Sequence, residues 1–219
     1  MNNEILNKRA PPIEPLYDTW GGKKDAGSWC IAPSFEFTSL STQEVNAWFA
    51  TSVVETLDAF SGLARAWGVD LNTVYRDDVE GVRLEWQPGD SYQEYVEKVL
   101  KAIREYPAPI YSVDIQVDLF SYFRTNTSPD LPVPAWVRVA SEFVIWGGPE
   151  NPQPYLCFNV DHTLFCSLSK DCEDNKELFL LNQPLLENAL RRWEERVGSI
   201  RDVNGLSGIY KYGFLPEEI

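Results

Sequence analysis

Residues 110–123 have the sequence IYSVDIQVDLFSYF, in which apolar side chains occupy every second position from Tyr111 to Leu119. A period of two residues predicts a strand with one buried face and one polar face. The rest of the predicted fold is built around this strand. Its polar positions are Ser112, Asp114, Gln116 and Asp118.

Two further stretches repeat the same alternation, Trp136–Trp146 and Tyr155–Val160. The connections contain Ser128-Pro129-Asp130 and Gly147-Gly148-Pro149, and both are too short to hold a crossover helix. The sequence therefore predicts an antiparallel meander of three strands within residues 110–165. One face of the meander is predicted to be apolar, and the other polar with aromatic residues at its margins.

Three amphipathic helices are predicted around the meander. The first begins at a capping box formed by Ser41 and Glu44, and its apolar stripe continues to Trp67 before Gly68 ends it. The second begins after Asp90, its predicted N-cap, and ends at Pro107. The third begins at Asn182 as N-cap and ends at Gly198. The segment 178–181, before the third helix, is a candidate short strand.

The remaining strands complete a prediction of the fold class. Strands are predicted within residues 29–37, 82–86 and 209–214. The class is α+β: a two-layer sandwich with a mixed, mostly antiparallel sheet and helices on one face. Residues 29–219 are predicted to form this single domain, and residues 1–28, which contain several prolines and glycines, an extended arm.

The charge of the chain limits its partners. Thirty-three acidic and nineteen basic residues give a formal net charge of −14. A negative field of this size repels nucleic acid and anionic membranes and favours a basic protein partner, although acidic surfaces also serve solubility alone. No stretch approaches the roughly twenty apolar residues of a membrane span.

The four cysteines are Cys30, Cys157, Cys166 and Cys172, and none of them forms a C-x-x-C pair. The first residues lack the basic and apolar regions of a secretory signal. Together these features predict a cytoplasmic protein whose thiols are free.

The polar face of the meander is the predicted partner-binding surface. Aromatic side chains supply contact area and polar groups supply orientation, which is the composition of a protein-binding patch. An ordinary solvated sheet face is the alternative interpretation of the same residues. The candidate contact residues are Asp114, Gln116, Asp118, Trp136, Arg138, Glu142, Trp146, Tyr155, Asn159 and Asp161.

Enzymatic interpretations are weaker. His162, the one histidine, precedes Cys166 by four residues, a spacing that does not bring the two side chains into hydrogen-bond reach along one strand. With Cys157 they match no usual zinc spacing. Asp114 and Asp118 lie about 13 Å apart along a strand, so a Mg²⁺ or Ca²⁺ site would need Glu142 or Asp161 from a neighbouring strand. The sequence predicts no catalytic residue, cofactor or metal site.

The sequence favours an acidic, non-catalytic protein-binding module that acts on a basic partner. An immunity or antitoxin-like protein that occludes a basic nuclease is a specific form of this hypothesis. Two alternatives stay open: a hydrolase that uses carboxylates of the polar sheet face, and a homodimeric scaffold whose aromatic residues form the interface.

Overall fold

The computed structural model describes residues 27–87, 89–125, 128–160, 163–167, 175–205 and 208–215. The predicted N-terminal arm lies outside this range except for its last two residues, which belong to the first strand. The helices are α1 (Thr42–Ala59), α2 (Tyr92–Glu105) and α3 (Lys176–Val197). The strands are β1 (Gly27–Ile31), β2 (Ala64–Asn72), β3 (Val82–Glu85), β4 (Ser112–Thr125), β5 (Ser128–Val137), β6 (Ser141–Gly148), β7 (Asn151–Val160), β8 (Ile200–Gly205), β9 (Ile209–Tyr210) and β10 (Gly213–Phe214).

The main sheet has eight strands and confirms the predicted α+β class. Seven strands follow the order β3-β2-β4-β6-β7-β1-β8, and β5 pairs with the far end of β4. Each described pairing in it is antiparallel. The pair β9–β10 forms a separate hairpin. The long strand β4 therefore lies between β2 on one edge and both β6 and β5 on the other.

The helices pack on one face of this sheet. The alternate β4 side chains Val113, Ile115, Val117 and Leu119 are fully buried beneath them. A cluster of aromatic rings joins the two layers: Phe60 after α1 lies 4.7 Å from Phe143 on β6 and 5.6 Å from Trp193 on α3, between ring centroids. Burial of such rings is the main stabilising contribution to the core.

Capping boxes begin the first two helices. Ser41 and Glu44 form the predicted one at α1, and Ser91 with Glu94 forms another at α2, where Asp90 was predicted as the cap. In each box the serine hydroxyl accepts from the glutamate N–H, and the carboxylate accepts from the serine N–H. Both boxes satisfy backbone donors that the first helical turn leaves unpaired.

The predicted extension of the first helix to Trp67 is wrong. Helix α1 ends at Ala59, the chain turns at Gly62 with φ +92°, and β2 begins at Ala64. The apolar residues of 63–67 match a helical stripe, but the conformation at Gly62 is one that side-chain-bearing residues rarely adopt. Beyond that glycine, the chain switches to a strand.

The meander contains four strands where three were predicted. The predicted strand Trp136–Trp146 is divided between β5 and β6, with the bend at residues 138–140. Ser141 stabilises this bend, because its hydroxyl donates to the carbonyl of Val117 at 3.1 Å. The prolines of β5 suit a strand that pairs on one edge only.

The prediction for the residues before the third helix is also wrong. Residues 178–181, predicted as a candidate strand, form the first turns of α3, which begins at Lys176. Asn182, predicted as the N-cap, lies inside the helix and is fully buried. The predicted end at Gly198 is confirmed, since α3 ends at Val197. No helix in the described part of the chain is long and apolar enough to cross a bilayer.

Candidate functional site

The sheet face opposite the helices is the candidate site, and we call it the open face. Strand alternation places the polar positions of β4 on it, beside those of β2, β6 and β7. All but one of the predicted contact residues lie on this face, and Asp161 falls outside the described residues. The open face has two ends with different chemistry.

One end is closed by a buried ion cluster around Asp118. This carboxylate is fully buried and accepts from Arg138 Nε at 2.8 Å and from Arg65 Nε at 3.4 Å. Arg65 is 2% exposed, and burial lowers the pKa of its guanidinium, partly offset by the carboxylate of Asp118. One negative charge therefore holds two positive ones in place.

Tryptophan rings cover the two arginines of this cluster. The guanidinium carbon of Arg65 lies 5.1 Å from the ring centroid of Trp86 and 4.6 Å from that of Trp136. Arg138 lies 4.2 Å from the centroid of Trp67. Cation–π contacts of this kind are stronger when they are desolvated. This end of the open face is thus a small packed core of its own.

A bulge in β2 places Trp67 over this cluster. The register of β2 against β4 pairs Ala66 with Val117 and Gly68 with Gln116, so Trp67 is the extra residue. A Cβ atom at Gly68 would lie 2.5 Å from Gln116 Oε1. A side chain at position 68 would therefore displace the Gln116 amide from its hydrogen bonds to Asp70 and Arg83.

The other end of the open face carries carboxylates. Asp70 forms an ion pair with Arg83 and accepts from Gln116 Nε2 at 3.1 Å. Neither Asp114 nor Glu142 forms an ion pair within the described part of the chain. Asn72 Nδ2 donates to Asp114 at 3.4 Å. Burial, and then the charges of Glu142 and Asp70, raise the pKa of Asp114 to about 6.

This raised pKa makes protein stability depend on pH. The folded pKa of Asp114 is above the unfolded value, so its ionisation opposes folding progressively from about pH 4 to about pH 6. Because the side chain is partly solvated, we expect Asp114→Asn to raise the free energy of unfolding by about 1 kcal/mol at pH 7.5.

The measurement is urea unfolding of both proteins at pH 7.5 and pH 4. The gain should vanish at pH 4, where the wild-type carboxyl is protonated in the folded state. An equal gain at both pH values would contradict an electrostatic origin.

Aromatic and polar side chains of β6 and β7 border the carboxylates. Trp146 and Tyr155 are cross-strand neighbours whose rings stack, with centroids 5.3 Å apart. The hydroxyl of Tyr155 donates to Asp202 on β8. Asn159 accepts from Ser28 Oγ at 2.7 Å. These contacts fix the part of the open face that carries the predicted contact residues.

The prediction of free thiols is wrong for two of the cysteines. Cys30 on β1 and Cys157 on β7 are paired residues of adjacent strands and form a disulfide. The two cysteines are 127 residues apart in the sequence, and no local pattern predicts their pairing. Disulfides are typical of oxidising compartments, so the cytoplasmic location stays a prediction.

The structure divides the predicted contact residues into two groups. Asp118 and Trp136 are at most 4% exposed and support the open face from within. The other seven described ones are partly buried. The sequence prediction missed Arg65, Trp67 and Asp70, because it gave residues 64–67 to a helix and left 68–72 unassigned. It placed Arg83 in a strand, within residues 82–86, but did not assign that strand to the open face. The alternation of Ala64, Ala66, Val69 and Leu71 with polar residues, broken once at the bulge, was the available signal.

The residue types that bind metal ions are not clustered in the part of the chain that the structure describes. No group of three His, Cys, Asp or Glu side chains there is arranged to hold an ion. His162 lies outside the described residues, and Cys166 is buried. What the open face offers is an unneutralised pair of carboxylates beside stacked aromatic rings.

The chain matches no protein-family model, and comparisons with curated proteins and with solved structures give no significant match.

Proposed function

We propose that the chain is a protein-binding module whose open face docks a basic partner. The observation that carries this proposal is the pair Asp114 and Glu142, which forms no ion pair within the described part of the chain, although the other end of the same face is ion-paired. A lysine or arginine of a partner would supply the missing charge. Trp146 and Tyr155 would supply contact area beside it.

The net charge of −14 also favours the approach of a basic partner. A basic protein is attracted over distances comparable to the Debye length, about 8 Å at physiological salt, and association is faster at lower salt. A basic nuclease is one such partner, because its nucleic-acid site is complementary to carboxylates. An immunity or antitoxin-like role is the narrower form of this proposal.

Charge-matched variants test the proposal. Asp114→Asn with Glu142→Gln removes two negative charges from the open face. Glu105→Gln with Glu195→Gln removes two exposed ones from the helices. In affinity capture from native lysate, we expect wild type and the helix variant to retain the same basic protein, released by high salt. The open-face variant should lose it.

Equal retention by both variants would mean that the open face is not the binding surface. Retention lost equally in both would indicate an effect of net charge alone. Either result contradicts the proposal.

Binding should also depend on pH through Asp114. Because its pKa is about 6, the side chain is largely neutral at pH 5 and largely ionised at pH 7.5. We expect affinity for the captured partner to fall as pH decreases through 6, and the fall to be much smaller in Asp114→Asn. Isothermal titration calorimetry at pH 5 and pH 7.5 measures this change in affinity. An unchanged pH profile in the variant would exclude Asp114 as a contact.

The raised pKa of Asp114 also favours a second candidate function. A carboxyl group that titrates near neutral pH suits general acid–base chemistry, and Glu142 would be its neighbouring carboxylate. A hydrolase of this kind should be stabilised by a divalent cation or a small ligand in thermal-shift screens. A protein-binding module should show no such response. A homodimeric scaffold would differ from both, because its apparent size would increase with its own concentration.

A further inference from the structure

A disulfide lies within the open face. Cys30 and Cys157 are directly paired on β1 and β7, with their Cα atoms 4.2 Å apart. Their side chains are only 4% and 8% exposed, so the sulfur atoms are part of a packed surface. The strands that they join are held on their other edges by β8 and β6.

The residues proposed to meet a partner are immediate neighbours of this disulfide. Tyr155 and Asn159 flank Cys157 on the same face of β7. Asn159 is tied to β1 through Ser28, whose Oγ also lies 3.6 Å from Cys30 Sγ. Tyr155 is tied to β8 through Asp202. The disulfide thus lies between two cross-strand hydrogen bonds that position the contact residues.

Reduction changes the space that the two sulfur atoms need. Bonded sulfurs are about 2 Å apart, whereas two thiols must separate to van der Waals contact. Packed protein does not absorb such a change without moving its neighbours. The movement falls on β1 and β7, and therefore on the hydrogen bonds from Ser28 and Tyr155.

We propose that the Cys30–Cys157 disulfide is a redox latch for the open face: the oxidised form holds Tyr155 and Asn159 in the binding arrangement, and reduction weakens binding of the basic partner. This inference rests on the proposed function of the same face. It makes binding strongest in an oxidising compartment and weakest in a reducing one.

The chemistry is ordinary thiol–disulfide exchange with a low-molecular-weight dithiol. One thiolate of the reductant attacks a sulfur of the protein disulfide, forms a mixed disulfide and releases the other cysteine as a thiolate, which takes up a proton. The second thiol of the reductant then displaces the remaining cysteine. The protein gains two electrons and two protons, and the dithiol becomes a disulfide.

The test compares the full chain before and after reduction with dithiothreitol. Nona-arginine peptide is the basic probe, and its affinity is measured by calorimetry at low salt. We expect at least about fivefold weaker binding after reduction, within the usual range of coupling between two sites. Hydrogen exchange should become faster in β1 and β7 and stay unchanged in α1.

The variant Cys30→Ser with Cys157→Ser is the control for the remaining cysteines. It should bind the peptide like the reduced wild type and show no response to dithiothreitol. If this variant does not fold, the reduced wild-type protein alone carries the comparison.

Three results would overturn the latch. Equal affinity in the two redox states would overturn it and leave the proposed function standing. Absence of binding by the oxidised protein would overturn the proposed function, and the latch with it. Loss of exchange protection throughout α1 and β4 on reduction would show general unfolding in place of a local change.

Discussion

Replacement of Asp118 by alanine is expected to lower the free energy of unfolding by about 3–5 kcal/mol, because it leaves buried positive charge without its counter-charge. Asp118 is fully buried and accepts hydrogen bonds from Arg65 and Arg138. Arg65 is 2% exposed and lies against the rings of Trp86 and Trp136. Guanidinium chloride unfolding at pH 7, followed by circular dichroism, measures the loss.

An exposed ion pair provides the matched control for this substitution. Asp78 pairs with Arg76 in a surface loop, and both side chains are largely solvated. Asp78→Ala should change the free energy of unfolding by no more than about 0.5 kcal/mol. A loss below about 1 kcal/mol in Asp118→Ala would show that water reaches the cluster, and would contradict the buried-charge argument.

The same substitution should affect the open face. Arg138 is held against Trp67 by its hydrogen bonds to Asp118. Without that carboxylate, the positive charge of Arg138 on the same face is no longer neutralised by Asp118. Affinity for a basic partner should then fall even where the variant is fully folded. Unchanged affinity in a folded Asp118→Ala variant would show that the charge of Arg138 does not influence binding.

Local patterns allowed much of the fold to be predicted from sequence. The capping box of Ser41 and Glu44 and the alternation of β4 depend on residues within a few positions of one another. The polar face of the meander followed from the same alternation. For this reason most of the predicted contact residues do share one surface.

Contacts between residues that are far apart in the sequence could not be predicted from local patterns. Residues 63–67 fit a helical stripe and a strand equally well, and the turn at Gly62 decides between them. Because the prediction did not include β2, it did not place Arg65 beside Asp118. It therefore could not explain why that carboxylate is buried. Likewise, Cys30 and Cys157 are adjacent only because β1 inserts between β7 and β8.

The electrostatics of the candidate site also depend on register. Sequence placed Asp114 and Glu142 on one face but left their spacing open. Pairing of Gln116 with Glu142 and of Asp70 with Asp114 brings the three carboxylates together. The raised pKa of Asp114 is a consequence of that register and of burial, and neither is encoded by nearby residues.

Asn182→Ala is expected to lower the free energy of unfolding by about 3 kcal/mol, because Asn182 substitutes for a missing strand. Beyond the start of β2, one edge of β4 has no neighbouring strand. There Asn182 Oδ1 accepts from the N–H of Tyr122 at 2.7 Å, and Asn182 Nδ2 donates to the carbonyl of Tyr122 at 2.8 Å. The same nitrogen donates to the carbonyl of Leu164 at 3.0 Å. Alanine would leave the backbone N–H and carbonyl of Tyr122 without these partners at a partly buried site.

Asn188→Ala is the matched control, since Asn188 lies on the same helix and is exposed. That change should be neutral or slightly stabilising, because alanine has the higher helix propensity. Chemical denaturation of both variants gives the comparison, and hydrogen exchange at Tyr122 locates the effect. If Asn182→Ala and the control had equal free energies of unfolding, water would have to replace the hydrogen bonds that the Asn182 amide forms with Tyr122. A large loss, with faster exchange at Tyr122, would mean that a side chain of α3 closes the sheet edge that β2 leaves open.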